Sequence, residues 1–141
     1  MRIMIDTNVF ISIVIFHSKT LGTMLSEICE KHTLVLSTYI LEELSNVLRY
    51  KFPNKIAAMD NILFNLPFET EFTPHILPKH NLFSVRDPKD EKILYSAITS
   101  DVDILITGDK DFSDVVIERP EILSPSEFIE VHLCSLGDNR Y

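Results

Sequence analysis

Short runs of apolar residues alternate along the chain with longer stretches in which apolar residues recur at helical spacing. The short runs predict strands, and runs without alternating polar residues predict strands buried on both faces. The longer stretches predict helices that bury one face. The predicted strands span residues 2–6, 33–37, 68–72, 103–107 and 121–124. The predicted helices span residues 19–32, 38–52, 54–66, 88–101 and 124–133.

Several predicted elements carry signals at their boundaries. Residues 68–72 alternate apolar and acidic side chains, which favours an edge strand. Asn54 is the expected N-cap of one helix and Ser124 that of the last, while Pro88 suits a first helical turn. Residues 73–88 contain three prolines and little periodicity, so we expect a loop there.

This alternation predicts a three-layer α/β/α fold with a central, mostly parallel five-stranded sheet. We expect one domain over residues 1–134 and a frayed tail over residues 135–141. The longest apolar run near the N-terminus, residues 9–16, is too short to span a bilayer, and no signal-peptide pattern is present. We therefore expect a cytoplasmic protein with Cys29 and Cys134 as reduced, buried thiols.

Composition excludes several kinds of site. The three glycines form no Gly-rich phosphate loop, and the cysteines and five histidines have no zinc spacing. The formal net charge of -8 makes the chain a poor nonspecific binder of phosphate backbones. Candidate chemistry must therefore come from the acidic residues.

Position selects four of the 21 acidic residues. Asp6 and Asp109 follow the first and fourth predicted strands, and ligands in parallel sheets bind at the carboxyl ends of strands. Helical periodicity places Glu43 at the edge of the apolar stripe of its helix, and Asp90 in the middle of the stripe of another.

Each acid also has an ordinary structural interpretation when it is considered alone. Asp6 and Asp90 could be capping residues, and Glu43 could pair with a basic residue near the end of its own helix. Asp109 could belong to a simple turn. Asp111 is more readily explained as the N-cap of a short helical turn over residues 111–116.

Together the four acids favour a metal site. Inward-facing carboxylates are costly unless they are neutralised, and no Arg or Lys is placed on the same faces. Such a cluster either raises the pKa values of its members or recruits a cation. Hard ions such as Mg²⁺ and Mn²⁺ take carboxylate oxygens, and they support phosphodiester chemistry.

Four motifs, in order, resemble those of the PIN-domain ribonucleases. They are IDTNVFIS at residues 5–12, LEELSNVL at 41–48, DPKDEKILYSAI at 87–98 and LITGDKDF at 105–112. Within that family the chain is most similar to the VapC-like toxin components of toxin–antitoxin pairs. The family's five-stranded parallel sheet agrees with the predicted strands.

The resemblance implies specific roles. Its acidic quartet, which binds one or two Mg²⁺ or Mn²⁺ ions, falls on Asp6, Glu43, Asp90 and Asp109. Asn8 and Thr107 fall on supporting polar positions, and Asp111 falls on a less constant acid near the metal. Asp90 rather than Asp87 matches the family position, so Asp87 is expected to be a turn residue.

The resemblance also implies a function and partners. Family members hydrolyse single-stranded RNA or structured RNAs such as tRNA, leaving a 5′-phosphate and a 3′-hydroxyl, and toxin members are commonly homodimers silenced by a small antitoxin. Apolar helices at residues 38–51 and 54–66 could form a groove for an antitoxin. Local basic groups could guide RNA to the acids, namely Arg49, Lys51, Lys55, Lys79, His80, Arg86, Lys89, Lys92 and Lys110.

Two other functions compete with the nuclease hypothesis. A catalytically inactive PIN-like module could bind RNA or protein, although the intact quartet argues against it. A phosphotransferase or receiver domain would need a second Asp two residues after Asp6, or a Lys after the last strand. Asn8 occupies the first position, and no suitable Lys follows residues 121–124.

Overall fold

The computed structural model describes residues 1–85 and 87–133, and it confirms the predicted α/β architecture. The strands are β1 (Arg2–Ile5), β2 (Thr33–Ser37), β3 (Glu69–Glu71), β4 (Ile104–Ile106) and β5 (Glu121–Leu123). The helices are α1 (Thr7–Val14), α2 (Lys19–Lys31), α3 (Thr38–Lys51), α4 (Ile56–Asn65), α5 (Pro88–Thr99) and α6 (Pro125–Phe128). The strand order is β3-β2-β1-β4-β5, and every strand pair is parallel rather than mostly so.

The central strands are buried because their sequences are apolar on both faces. In β1, Ile3, Met4 and Ile5 are completely buried, and all three residues of β4 are buried as well. Helices can cover both faces of such a sheet, since neither face presents a polar side to water. By contrast, β3 pairs only with β2 and exposes Glu69 and Thr70, which confirms the predicted edge strand.

The order of the strands reverses direction between β1 and β4. The chain moves outward from β1 through β2 to β3, and then returns to the other side of β1 to form β4 and β5. Such a switch point opens a crevice at the carboxyl ends of the two neighbouring strands. Asp6 follows β1 at this point, and its backbone N–H donates to the carbonyl of Ile106, the last residue of β4, at 2.9 Å.

Helix α1 was not predicted. Its nearly continuous apolar sequence, TNVFISIV, hides the helical period, because Val9, Phe10, Ile11 and Val14 are all buried in the core. Asp6 is the N-cap, so the first acid ends a strand and begins a helix at the same residue. The capping interpretation of Asp6 is therefore confirmed and does not compete with a role in a site.

Two predicted helix boundaries were wrong. Asn54 is not an N-cap, because residues Pro53–Lys55 form a 3₁₀ turn and α4 begins at Ile56 without a side-chain cap. The last predicted helix is divided into α6 and a π-helical turn over Ile129–Leu133. Ser124 does cap α6, through a capping box with Glu127.

Some predictions fall outside the described residues. They concern the tail at 135–141, the thiol of Cys134 and the basic residue Arg86. Cys29 is half-buried on α2 rather than fully buried. Among the described helices, none alone has the length and apolar character needed to cross a membrane; α1 and α2 meet that measure only as a pair bent by 118°.

Candidate metal centre

Asp6 is a buried carboxylate, 4% exposed, held by two hydrogen bonds. The backbone N–H of Thr7 donates to its Oδ1 at 2.6 Å, and the Thr107 hydroxyl donates to its Oδ2 at 2.8 Å. Burial raises the pKa of Asp6, and these two hydrogen bonds oppose the rise while the charges of Glu43 and Asp109 add to it. The carboxylate is thus positioned but not neutralised.

Thr107 joins the ends of the two central strands. It follows β4, and its hydroxyl accepts a hydrogen bond from the backbone N–H of Asp109 at 3.1 Å while donating to Asp6. Its own backbone N–H donates to the carbonyl of Leu123 on β5. One hydroxyl therefore fixes the first acid and the loop that carries the last acid.

Asp90 lies in the first turn of α5 and is only 6% exposed. The cap of this helix is Asp87, whose Oδ1 accepts from the backbone N–H of Lys89 at 2.9 Å. Asp90 is therefore not the capping residue. Asp87, which was expected to be a turn residue, is the N-cap of α5. Burial, followed by the negative charges of Asp109, Asp87 and Asp111, raises the pKa of Asp90 to about 6.

Asp90, Asp109 and Asp111 come together. Each offers one carboxylate oxygen, and these three oxygens lie within 4.8 Å of one another. The 3₁₀ turn Lys110–Asp114 is capped by Asp109, whose Oδ1 accepts from the backbone N–H of Asp111 at 2.9 Å. The interpretation of Asp111 as the N-cap was wrong, and its side chain is available to the acidic group.

Glu43 lies on α3, half-buried, and is oriented from its own helix. The hydroxyl of Tyr39, one turn earlier, donates to its Oε2 at 2.7 Å. Burial, and then this hydrogen bond, raise the pKa of the Tyr39 hydroxyl, so that it remains a donor. Glu43 forms no ion pair with Arg49 or Lys51, which was the ordinary alternative for it, or with any other basic side chain that the structure describes.

Comparison with known families identifies this arrangement. A family model described as PIN domain matches residues 2–111, a span that contains Asp6, Glu43, Asp90, Asp109 and Asp111. The chain belongs to the PIN-domain family. The resemblance of the four sequence motifs is confirmed, although no curated protein sequence is significantly similar to this PIN domain as a whole.

The fold of this PIN domain also occurs in a solved structure. It is similar to a chain in the crystal structure of VapBC2 from Rickettsia felis bound to a DNA fragment from their promoter. The TM-score is 0.64 at 16% sequence identity, and the alignment covers 88% of this chain and 98% of the other. At that identity the likeness concerns the fold alone.

The donors present fit a hard divalent cation. Three carboxylate oxygens from Asp90, Asp109 and Asp111 converge, and carboxylates are the protein ligands that Mg²⁺ and Mn²⁺ prefer. Within residues 1–85 and 87–133, no Lys, Arg or His forms an ion pair with these acids, with Asp6 or with Glu43. The described residues therefore leave this charge without an ion-pair partner.

Three predicted site residues lie outside the convergent group of Asp90, Asp109 and Asp111. Asp6 and Glu43 are not members of the convergent set, although the charges of Asp109 and Glu43 both act on Asp6. Asn8 is exposed on α1, where the Ser12 hydroxyl donates to its backbone carbonyl at 3.0 Å, and its side chain forms no hydrogen bond within the described residues. Its supporting role stays a prediction.

Three residues around the centre were not identified from the sequence. Tyr39 holds Glu43, and its spacing of four residues on one helix was a usable signal. Asp87 precedes a proline at a helix start, which is typical of an N-cap. The hydroxyl of Thr7 is buried without a hydrogen-bond partner in the described part of the chain. No sequence pattern predicts this burial.

Two open cavities border the acidic residues. One, of about 800 Å³, is lined by Thr107 and Asp109 together with the 3₁₀ turn and β5. The other, of about 360 Å³, is lined by Glu43 and by residues of α3 and α5. Asp109 and Glu43 therefore each border an open cavity.

Proposed function

We propose that this PIN domain is a metal-dependent endoribonuclease that hydrolyses RNA phosphodiester bonds. The observation that carries the proposal is the convergence of Asp90, Asp109 and Asp111 at the switch point of the sheet, where residues 1–85 and 87–133 supply no cationic partner. Membership of the PIN-domain family supports the same chemistry. RNA as the substrate, with 5′-phosphate and 3′-hydroxyl products, is inferred from the resemblance of the sequence motifs.

The acids would hold one or two Mg²⁺ or Mn²⁺ ions. Asp90, Asp109 and Asp111 supply the convergent oxygens, and Asp6 and Glu43 complete the proposed ligand set. When bound, such an ion supplies a Lewis acid for the scissile phosphate and lowers the pKa of a coordinated water. The chain contributes the fixed positions of the carboxylates.

The protein's own groups prepare the site for this reaction. The hydroxyl of Thr107 and the N–H of Thr7 fix both oxygens of Asp6. Tyr39 fixes one oxygen of Glu43, which leaves the other oxygen to orient an attacking water. The pKa of Asp90 is raised to about 6 without a metal, and a bound cation would favour its charged, ligating form.

RNA cleavage assays with matched variants test the proposal. Wild-type protein with Mg²⁺ or Mn²⁺ should cleave single-stranded RNA, and EDTA should abolish cleavage. Asp109→Asn should reduce the rate by about 100-fold or more, because it removes a convergent ligand and charge. Asp114→Asn is the control, since Asp114 is exposed on the same 3₁₀ turn but lies outside the acidic group.

The alternative function is a catalytically inactive PIN module that binds RNA or protein. It predicts no metal-dependent cleavage in any preparation and equal behaviour of Asp109→Asn and Asp114→Asn. Cleavage that is retained by Asp109→Asn would point instead to a contaminating nuclease and would refute the proposed site. The convergence of three acids in one crevice favours the enzyme.

We further propose that this nuclease is the toxin of a cytoplasmic toxin–antitoxin pair and forms a homodimer. The fold shared with VapBC2 supports an antitoxin partner. An apolar groove of about 180 Å³ between α3 and α4, lined by Leu41, Leu48, Ile56 and Leu63, could receive an amphipathic segment.

Two measurements test these partners. The product of the neighbouring reading frame should bind this chain and inhibit cleavage, and Ile56→Glu in the groove should weaken that binding. Light scattering of the isolated chain should give the mass of a dimer. Failure of both would leave a monomeric nuclease without this regulation.

A further inference from the structure

The groove of about 360 Å³ runs along the face of α3 that carries Glu43. Tyr39, Glu43, Val47 and Tyr50 line it, at spacings that place them on one face of the helix. The rise of an α-helix puts Tyr50 about 10 Å along the axis from Glu43. The groove therefore contains Glu43 of the proposed ligand set and extends along α3 from it.

Lysines from two helices also line this groove. Lys51 lies at the end of α3, whereas Lys89 and Lys92 lie in the first half of α5. Among the residues that the structure describes, none of these lysines is within ion-pair distance of a carboxylate. Three cationic side chains are thus available to an anionic ligand, in a protein whose net charge is -8.

Within the described residues, the acids of the groove form no ion pairs with these lysines. Glu43 is bound by the Tyr39 hydroxyl, and Glu42 at the rim lies 3.8 Å from His75, measured from Oε2 to Nδ1. Lys92 lies with its Nζ 5.4 Å from the centre of the Tyr39 ring. Lysines and aromatic rings therefore line the same groove, which is the composition of surfaces that bind single-stranded nucleic acids.

Tyr50 is the most exposed aromatic residue of the groove, at 83%. A large ring that packs against so little of the protein contributes little to the core. It can instead offer its face to a nucleobase, and each stacked base contributes about 1–3 kcal/mol to binding. A duplex hides the faces of its bases, so only an unpaired base could stack in this way.

We infer that this groove binds the single-stranded RNA that flanks the cleaved bond, with Tyr50 stacking on a base and Lys51, Lys89 and Lys92 contacting phosphates. The inference rests on the proposed nuclease function, because it makes Glu43 the point where the strand enters the acidic site. Tyr50 had no role in the proposed reaction, and the groove gives it one.

Binding in EDTA tests the groove separately from cleavage. The probe is a fluorescein-labelled single-stranded RNA of mixed sequence, followed by fluorescence anisotropy at low salt. Tyr50→Ala should weaken binding about fivefold or more, whereas Tyr50→Phe should retain it. The same RNA with abasic positions should bind Tyr50→Ala and wild type equally, because no base is left to stack.

The lysines predict a different pattern. Lys89→Ala and Lys92→Ala should weaken binding to normal and abasic RNA alike. Each should also reduce the slope of log binding constant against log salt concentration by about 0.7, the value for one phosphate of a single strand. Lys19→Ala on α2 is the matched charge control and should change neither quantity.

Phe64→Ala is the matched aromatic control, since Phe64 is 88% exposed and lies on α4 outside the groove. Equal losses for Phe64→Ala and Tyr50→Ala, or a Tyr50→Ala loss that persists on abasic RNA, would overturn the inference. So would undetectable RNA binding by the wild type, which would leave the groove to a protein segment. If the wild type cleaved RNA but Tyr50→Ala bound RNA as well as the wild type, the groove would be refuted but not the nuclease. If Tyr50→Ala lost RNA binding but the wild type did not cleave RNA, the nuclease alone would be refuted.

Discussion

Aspartates at the two ends of the parallel sheet lie in opposite electrostatic environments. Asp103, just before β4, accepts a hydrogen bond from the backbone N–H of Arg2 at 2.7 Å and pairs with Arg119 at 2.6 Å. Those contacts, the Arg2 N–H first, lower the pKa of Asp103. At the other end, burial and neighbouring acids raise the pKa values of Asp6 and Asp90.

The difference separates charges that the fold satisfies from charges that it does not. The amino end of the sheet contains both signs, and Arg119 also pairs with Asp101. The carboxyl end brings Asp90, Asp109 and Asp111 together with no basic partner in the described chain. Protonation of a carboxylate or a cation taken from solution would relieve the repulsion between these acids.

The largest expected effect is on the free energy of unfolding, and it follows from removing the charge of Asp90 from among the neighbouring acids. Asp90→Asn should stabilise the metal-free protein at pH 7 by up to about 3 kcal/mol, because the shift in the pKa of Asp90 from 3.8 to about 6 is a penalty on the charged native state. Urea unfolding in EDTA measures this, with Asp114→Asn as the control. A destabilised Asp90→Asn would show that the carboxylate is satisfied after all.

The sign of this effect has a pH dependence. Since the folded-state pKa of Asp90 lies above its unfolded value, the penalty is complete above about pH 6 and is relieved as the native carboxyl takes up a proton. The difference in unfolding free energy between Asp90→Asn and wild type should therefore shrink from pH 7 towards pH 4. A difference that is constant across this range would contradict the assignment.

The sequence predicts the fold and most of the acidic positions because both follow from local patterns. Apolar runs located all five strands, and the position of Asp6 and Asp109 after strands followed from the rule for parallel sheets. Helical periodicity also distinguished Asp90 from Lys92 and Glu43 from Glu42.

What the sequence does not predict is which side chains converge. Asp111 was ranked below the quartet, yet it joins Asp90 and Asp109, because Asp109 rather than Asp111 caps the 3₁₀ turn. Both acids are acceptable N-cap residues by type, so the sequence alone does not decide which of them caps the turn. The bond from Thr107 to Asp6 likewise joins residues 101 positions apart.

A second expected effect, of opposite sign, comes from removing the support for a charge rather than the charge. Thr107→Val keeps the shape but deletes the buried hydrogen bond to Asp6 and the acceptor for the N–H of Asp109. It should destabilise the protein by about 2 kcal/mol, as for hydrogen bonds to charged groups. Thr107→Ser retains the hydroxyl and is the control; equal unfolding free energies for both variants would show that this hydroxyl is not supporting Asp6.

The smallest expected effect on stability is at the amino end of the sheet, where Asp103 pairs with Arg119. Asp103→Asn keeps an oxygen for the Arg2 N–H but removes the charge that faces the exposed Arg119. Exposed ion pairs contribute little, so the melting temperature should fall by no more than about 2 °C, and high salt should remove most of that difference. Cleavage and its metal dependence should be unchanged, because Asp103 lies at the opposite end of the sheet from the acidic group. The contrary result would be that Asp103→Asn impairs cleavage as strongly as Asp109→Asn. The division of the aspartates into those paired within the protein and those that bind metal would then be wrong, because both ends of the sheet would contribute to cleavage.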